Sequence, residues 1–512
     1  MRRPDASIAL TISSVLLGGC ATWALHLAPE RPDLPWAPVT NADGEIVPGK
    51  QELTESARER GHVLPSNRAL ASVPPAPSNL DAAHAYTLPE LIDIAETNNP
   101  QTRVAWDEAR NVALAAGIAE SAYLPGLSAG VVGGYQTGHD RNSALGVTTT
   151  NDSTVHGAIS TLSLQWLLFD FGERGAVVEA AKQGSVISNI AFTGIHQKVI
   201  YEVSLAFYAN AAAQAHVDSA RQSLKDAEEV QGSTEDRNAH GVGTIVEVAQ
   251  ARQATAQARL AQVQAESSAQ NSYLALISAM GISPLTTIKI ADVSGRKLSA
   301  DMLEPIEHIV SEALTRRPDI LGADAARRVS LANLRAAQAE FLPKLFLSAN
   351  GTYSEGDLSV TALPSVGEQA GTVNVSGHHF GSTVLLGVTV PLYDGGTRMA
   401  LLEQARSKAD RANATFADVR NQAVREVVKA GNAVKTSLAA YEASESLASA
   451  AQTTFDAALA AYRHGVGSIT AVTLAETQLL QAKNAATDAY SLALSAAATL
   501  ALSAGTLGSA PK

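Results

Sequence analysis

Three groupings in this sequence carry residue types capable of chemistry. Gly126-Leu127-Ser128-Ala129-Gly130 has the Gly-x-Ser-x-Gly spacing of a nucleophile elbow. That spacing activates a serine only where a strand turns sharply into a helix. Here it lies inside a stretch read as one strand, and its counterpart later in the chain, Lys344 to Ala349, lacks the glycines. No serine catalysis is expected. His378-His379 places two imidazoles in a polar stretch, without the Cys or the paired spacing from which metal sites are built. A solvated loop pair is expected there. His240 and His464 each precede a glycine at a helix end, where an imidazole favours the negative end of the dipole. No phosphate loop and no dinucleotide fingerprint occurs. The expectation is a chain without enzymatic activity, cofactor or metal.

One further reactive side chain stands near the start. Cys20 is the only cysteine, so no disulfide framework forms within one molecule. Arg2 and Arg3 precede an apolar core from Ile8 to Leu17 that is too short to remain as a spanning helix. Leu17-Gly18-Gly19-Cys20 then resembles a bacterial lipobox. Residues 1–19 are expected to be a signal peptide and Cys20 the lipidated mature terminus, with an ordinary cleaved signal as the alternative.

The elements that would position any site are long and thin. The chain has 512 residues, of which 46% are hydrophobic and 17% charged, with only 9 Phe and 4 Trp. The chain is instead rich in Ala, Ser, Gln and Thr, which suits slender helical packing rather than a large globular core. A net charge of −12 excludes a nucleic-acid binder. No stretch after the signal holds 18 consecutive apolar residues, so a bilayer crossing would have to be a β-barrel.

Internal repetition fixes the architecture. Asn99-Pro100 matches Arg317-Pro318, Tyr123-Leu124-Pro125 matches Phe341-Leu342-Pro343, and Tyr135 matches Tyr353, all 218 residues apart. Asp170, Gly172 and Arg174 match Asp394, Gly396 and Arg398 at 224 residues, and His240-Gly241-Val242-Gly243 recurs as His464-Gly465-Val466-Gly467. The first copy is read as 86–281 and the second as 305–508, with a linker at 282–304 and a Pro-containing extended segment at 20–85.

Each copy has one internal order. A helix runs from Pro100 to Tyr123 and again from Pro318 to Phe341, opened and closed by proline. Strands follow at about 127–137 and 157–169, and at about 345–355 and 379–393. Leu162, Leu164, Trp166 and Leu168 alternate with the residues between them, and Leu386, Val388, Val390 and Leu392 keep the same phase. The polar stretches 139–156 and 357–378 read as exposed loops. Proline-free stretches from Glu173 to Asn238 and from Thr397 to Arg463 predict helices of roughly 100 Å. Each returns through a glycine turn into a helix of about 37 residues, capped by Thr244 or Ser468. The return helix and the short helix together match the long one, so the two would stack end to end beside it. Positions 475, 479, 482, 486, 489, 493, 496 and 500 form a seam of Ala and Leu suited to coiled-coil contact.

This duplicated order, with Leu168-Phe169-Asp170-Phe171-Gly172, Leu392-Tyr393-Asp394-Gly395-Gly396 and Tyr462-Arg463-His464-Gly465-Val466-Gly467, resembles the TolC-type outer-membrane factor family over roughly 86–508. The resemblance implies a mainly α fold with a transmembrane β part, four strands per chain closing a 12-stranded barrel as a homotrimer. It implies a passive export channel in the outer membrane, docked through a periplasmic adaptor to an inner-membrane transporter. An RND pump for drugs or small solutes is expected, with an ABC exporter possible. A protein-secretion conduit is the alternative, and a non-channel coiled-coil scaffold a second one. In the family the glycine turns form the periplasmic tip, which carries over to His240, Gly241, Gly243, Arg463, His464, Gly465 and Gly467. Family members place acidic residues just after the second turn. Ala471 and Leu474 depart from that, leaving Glu247 and Glu476 as candidate gate acids.

Overall fold

The computed structural model describes residues 23–29, 31–50, 54–73, 76–77, 80–144, 147–292, 298, 305–356, 359–360, 373–374 and 377–508. The signal stretch, Cys20 and most of 293–304 lie outside the described residues. Two units are present, Met1–Ala76 and Pro77–Lys512. In the first, Val39–Thr40 pairs with Ile46–Val47 around a turn in which Asn41 Oδ1 accepts from the Asp43 and Glu45 N–H groups. A six-residue helix, Glu55–Arg60, follows.

The second unit is the duplicated one. Its first half contains α1 (Leu88–Asn98), α2 (Pro100–Ser121), β1 (Gly126–Ala144), β2 (Val147–Phe169), α3 (Glu173–Ala239) and α4 (Ile245–Ala279). Its second half repeats the order as α5 (Ile306–Arg316), α6 (Pro318–Ala339), β3 (Lys344–Gly356), β4 (His379–Thr389), α7 (Thr397–Arg463) and α8 (Ile469–Ser503). α3 and α7 each hold 67 residues, about 100 Å of helix. α8 is long and apolar enough to cross a membrane by length and composition. Its expected seam is where it packs, since Ala475, Leu479, Ala482, Ala489 and Ala493 are buried.

The end-to-end stacking is direct. Asn99 caps α2 by accepting from the Gln101 N–H at 2.9 Å, and its Nδ2 donates to the Ala279 carbonyl at the end of α4 at 3.0 Å. Gly281 makes the approach possible. Its φ is +71°, and a Cβ there would lie 2.7 Å from the Asn99 Cα. In the second copy Arg317 takes the place of Asn99, and its Nη1 donates to the Ser503 carbonyl at 3.1 Å. Around the first junction Leu91, Ile94, Val199, Val203, Phe207, Leu276, Ile277 and Met280 form one apolar core.

Each strand pair enters its long helix through one motif. The Asp170 carboxylate accepts from the Gly172 and Arg174 N–H groups and pairs with the Arg174 guanidinium at 2.9 Å. Asp394 repeats the contacts with Gly396 and Arg398. Gly172 and Gly396 take φ near +90° to make the turn. Between them and the aspartates stand Phe171, with φ +53°, and Gly395, with φ +71°.

Three expectations are corrected. The stretch 139–156 is not a loop among its described residues: β1 and β2 stay paired out to Ala144 and Val147. Thr and Val are strand formers whatever the polarity of their neighbours. The fourth strand stops at Thr389, short of 393, because Pro391 has no N–H for a ladder and leaves Val390 and Leu392 exposed beyond the sheet. Helices α1 and α5 belong to each repeat in addition to the elements read from the sequence. Of the second expected loop, Ser359–Val360 pairs with Val373–Asn374 and the rest is largely outside the described residues.

Candidate functional site

Two features stand at opposite ends of the long helices: a four-stranded sheet and a pair of helix-hairpin tips. The sheet order is β4-β3-β2-β1, antiparallel throughout. Its register puts Leu127 opposite Leu164, Leu164 opposite Ala349, and Ala349 opposite Val384. Side chains alternate across a strand, so Leu127, Val131, Leu162, Leu164, Trp166, Leu347, Val384, Leu386 and Val388 share one face. Most of that face is exposed, Val384 at 71% and Leu386 at 67%. The other face carries Ser128, Ser163, Gln165, Ser348, Asn350 and Thr383, and the Ser128 and Ser163 hydroxyls bond at 2.6 Å.

Aromatics bound the apolar face. Tyr353 is opposite Phe380 at one end, and Trp166 is opposite Leu347 at the other. Six residues separate those rows, roughly 20 Å along a strand. An exposed apolar band of about that height with aromatic edges is the outer surface of a lipid-embedded barrel. β1 and β4 leave the sheet with two open edges running in opposite directions. Open edges are not tolerated in hydrocarbon. The β4 and β1 edges run in opposite directions, the sense that antiparallel closure requires.

At the other end the two turns are built alike. The Val242 and Gly243 N–H groups donate to the Arg237 carbonyl, and those of Val466 and Gly467 to the Ala461 carbonyl. Gly241 and Gly465 take φ +77° and +78°. Gly243 and Gly467 lie against the preceding helix end, where a Cβ would sit 3.0 Å from the Asn238 nitrogen or 2.9 Å from the Tyr462 nitrogen. His240 donates its backbone N–H to the Asp236 carbonyl and sets Nδ1 2.8 Å from the same oxygen, a helix-end role. Val242, Ile245 and Val466 project from the tips, Val466 at 83% exposure.

The two candidate acids stand in different settings. Glu247 closes a capping box: its carboxylate accepts from the Thr244 N–H at 2.7 Å, and the Thr244 hydroxyl accepts from the Glu247 N–H at 3.2 Å. Glu476 is 6% exposed and accepts from the Ser223 hydroxyl at 3.0 Å across the contact of α8 with α3. A group so placed lines no lumen while the helices stay packed.

Contacts between the two hairpins were not legible in the sequence. The Tyr462 hydroxyl lies 2.8 Å from Thr234 Oγ1, and Arg237 Nη1 donates to the Tyr462 carbonyl at 2.8 Å. The Arg237 guanidinium also covers the Tyr462 ring at 4.8 Å, and Arg463 pairs with Glu229. Higher on the seam Ser491 bonds the Tyr208 carbonyl and Tyr201 meets Thr499. Among the described residues no cluster of three or more metal-ligating side chains occurs.

Known proteins share this arrangement. The family model described as outer membrane efflux protein matches residues 91–282 and 309–506. Protein CyaE of Bordetella pertussis is 26% identical over 72% of this chain and 73% of its own. Antibiotic efflux pump outer membrane protein ArpC of Pseudomonas putida is 25% identical over 93% of this chain and 90% of its own. Among solved structures, the outer membrane protein VceC from Vibrio cholerae superposes with a TM-score of 0.68 at 21% identity, covering 82% of this chain and 96% of that one. The Campylobacter jejuni CmeC outer membrane channel gives 0.69 at 19% identity, covering 82% and 85%.

Proposed function

The chain belongs to the outer membrane efflux protein family and is an outer-membrane efflux channel that reaches into the periplasm, and from that premise we propose how it works. It assembles as a homotrimer. Three copies supply twelve strands, an even number in the range of single-wall barrels. The observation that carries this reading is the sheet: one apolar, aromatic-edged face and two unpaired edges of opposite direction. The long hairpins continue the barrel as a tunnel below the membrane.

The hairpin tips are the periplasmic end and the adaptor contact. His240, Gly241, Gly243, Arg463, His464, Gly465 and Gly467 shape them, and the exposed Val242 and Val466 give an adaptor apolar knobs to grip. The adaptor couples the channel to an inner-membrane transporter, an RND pump for drugs or small solutes. Relatives named for antibiotic and toluene efflux pumps favour that over protein secretion. Cys20 anchors the mature chain to outer-membrane lipid. The bonds of Tyr462, Arg237 and Arg463 across the hairpins hold the tip in one closed arrangement, and their loss separates α7 and α8 from α3 and α4.

The test is planar-bilayer conductance of the purified detergent-solubilised protein with its mass determined in parallel. Discrete channels from a trimer are expected. A monomer that never inserts would sink the reading.

A further inference from the structure

Glu476 sits where a carboxylate is least welcome. Its helix neighbours Val472, Ala475 and Leu479 belong to an apolar cluster with Val230 of α3, Ala251 of α4, and Phe455 and Tyr462 of α7. Glu476 is 6% exposed as a residue, and its carboxyl accepts a hydrogen bond from Ser223 on α3. The charged group that bears on it is Asp226, one turn further along α3 and itself half-buried. The other titratable groups nearby point elsewhere. Glu229 on α3 is held by Arg463, and Arg252 on α4 is exposed and paired with Glu235. Asp456 on α7 is exposed and held by Gln452, and Lys225 is exposed. On α8 itself, Lys483 acts on Asp226 rather than on Glu476.

The apolar surround suits the neutral acid, and the single Ser223 hydrogen bond, which favours the carboxylate, offsets it only in part. An ionised carboxylate in the same place would be buried, unpaired by any cation, and beside a second negative charge. The seam that holds it is the α3–α8 contact, which must part if the two hairpins separate.

We propose that Glu476 is a protonation latch on the α3–α8 seam: as the neutral acid it lets the hairpins close, and as the carboxylate it drives them apart, so the tip answers to periplasmic pH. The inference rests on the channel reading above and adds a control to it.

Burial, offset in part by the Ser223 hydrogen bond and reinforced by the Asp226 charge, raises the Glu476 carboxyl from 4.5 to about 7 in the closed arrangement. Once the helices part, the carboxyl is solvated and returns toward its ordinary range. The closed state therefore binds the extra proton. Its advantage is complete below the ordinary value and is lost as pH rises toward 7. Between pH 5.5 and 7.5 the closed-to-open ratio should fall by roughly tenfold or more per protomer.

The experiment compares wild type, E476Q and D226N as full chains at pH 5.5 and 7.5. Open probability in planar bilayers is one readout. Amide hydrogen exchange of residues 215–240 and 466–485, corrected for the intrinsic pH dependence, is the other. Wild type should open and exchange faster at pH 7.5, E476Q should stay closed and slow at both pH values, and D226N should show a smaller shift. Channels whose opening and exchange ignore pH, or respond equally in E476Q, overturn the latch and leave the channel standing. A wild-type chain that forms neither trimers nor channels overturns the channel reading, and the latch with it.

Discussion

The Tyr462 hydroxyl of α7 lies 2.8 Å from the Thr234 hydroxyl of α3, and the two residues are 1% and 0% exposed. Thr234 already donates its one hydroxyl proton to the Val230 carbonyl at 2.7 Å. The Tyr462 hydroxyl must therefore be the donor of the bond between the hairpins. Tyr462→Phe removes that donor and keeps the ring under Arg237. A loss of about 1 kcal/mol is expected, near fivefold in the closed-to-open ratio. Arg237→Ala should cost more, because it takes away both the bond to the Tyr462 carbonyl and the cation over the ring. Single-channel open probability checks both. Unchanged opening in both variants would remove the hairpin lock.

Two alanine substitutions separate a glycine that is required from one that is not. At Gly281 a Cβ would stand 2.7 Å from the Asn99 Cα, at φ +71°. Gly281→Ala should destabilise by about 2 kcal/mol or more through steric conflict and left-handed strain. Gly232, inside α3, has open space where its Cβ would go. Gly232→Ala should stabilise by up to about 1 kcal/mol from helix propensity. Chemical denaturation of the detergent-solubilised protein reports the difference, and equal effects would contradict the end-to-end junction.

The two strand-to-helix motifs should not be equally sensitive. The Asp170 and Arg174 side chains are 6% and 12% exposed, against 32% and 16% for Asp394 and Arg398. Asp170→Ala takes the paired carboxylate from a nearly buried guanidinium, which keeps the Ala122 and Leu167 carbonyls as hydrogen-bond partners, and costs about 3 kcal/mol. Asp394→Ala leaves a more hydrated site and should cost less. Thermal unfolding of the two single variants ranks them, and the reverse order would refute the argument from burial.

The sequence revealed this fold where periodicity and duplication were strong. Period-two apolarity located the sheet, and proline and glycine bounded the helices to within a few residues. What escaped was either short or non-local. α1 and α5 are eleven residues each and sit directly before Pro100 and Pro318, where a proline reads as a start rather than as a joint. A signal existed for the first: Thr87 and Glu90 form a capping box. The hairpin locks join residues 228 positions apart with no spacing to betray them, as in Thr234 and Tyr462. Glu476 was visible as an acid near the turn, yet only the packed helices place it inside the seam.

The last prediction tests which face of the sheet meets lipid. Leu386 lies on the apolar face opposite Leu347, and Thr383 lies on the other face opposite Asn350. Arginine at a lipid-facing midplane position of a barrel costs about 2–4 kcal/mol, whereas lumen positions accept charge and change selectivity. Leu386→Arg should therefore fold poorly into vesicles and be recovered largely as aggregate. Thr383→Arg should insert normally, and its three copies around the lumen should lower cation preference in the reversal potential. If Thr383→Arg blocks insertion while Leu386→Arg inserts and shifts selectivity, the faces are assigned the wrong way round. Every lipid-facing residue named above would then have to move to the lumen together, since one register fixes them all.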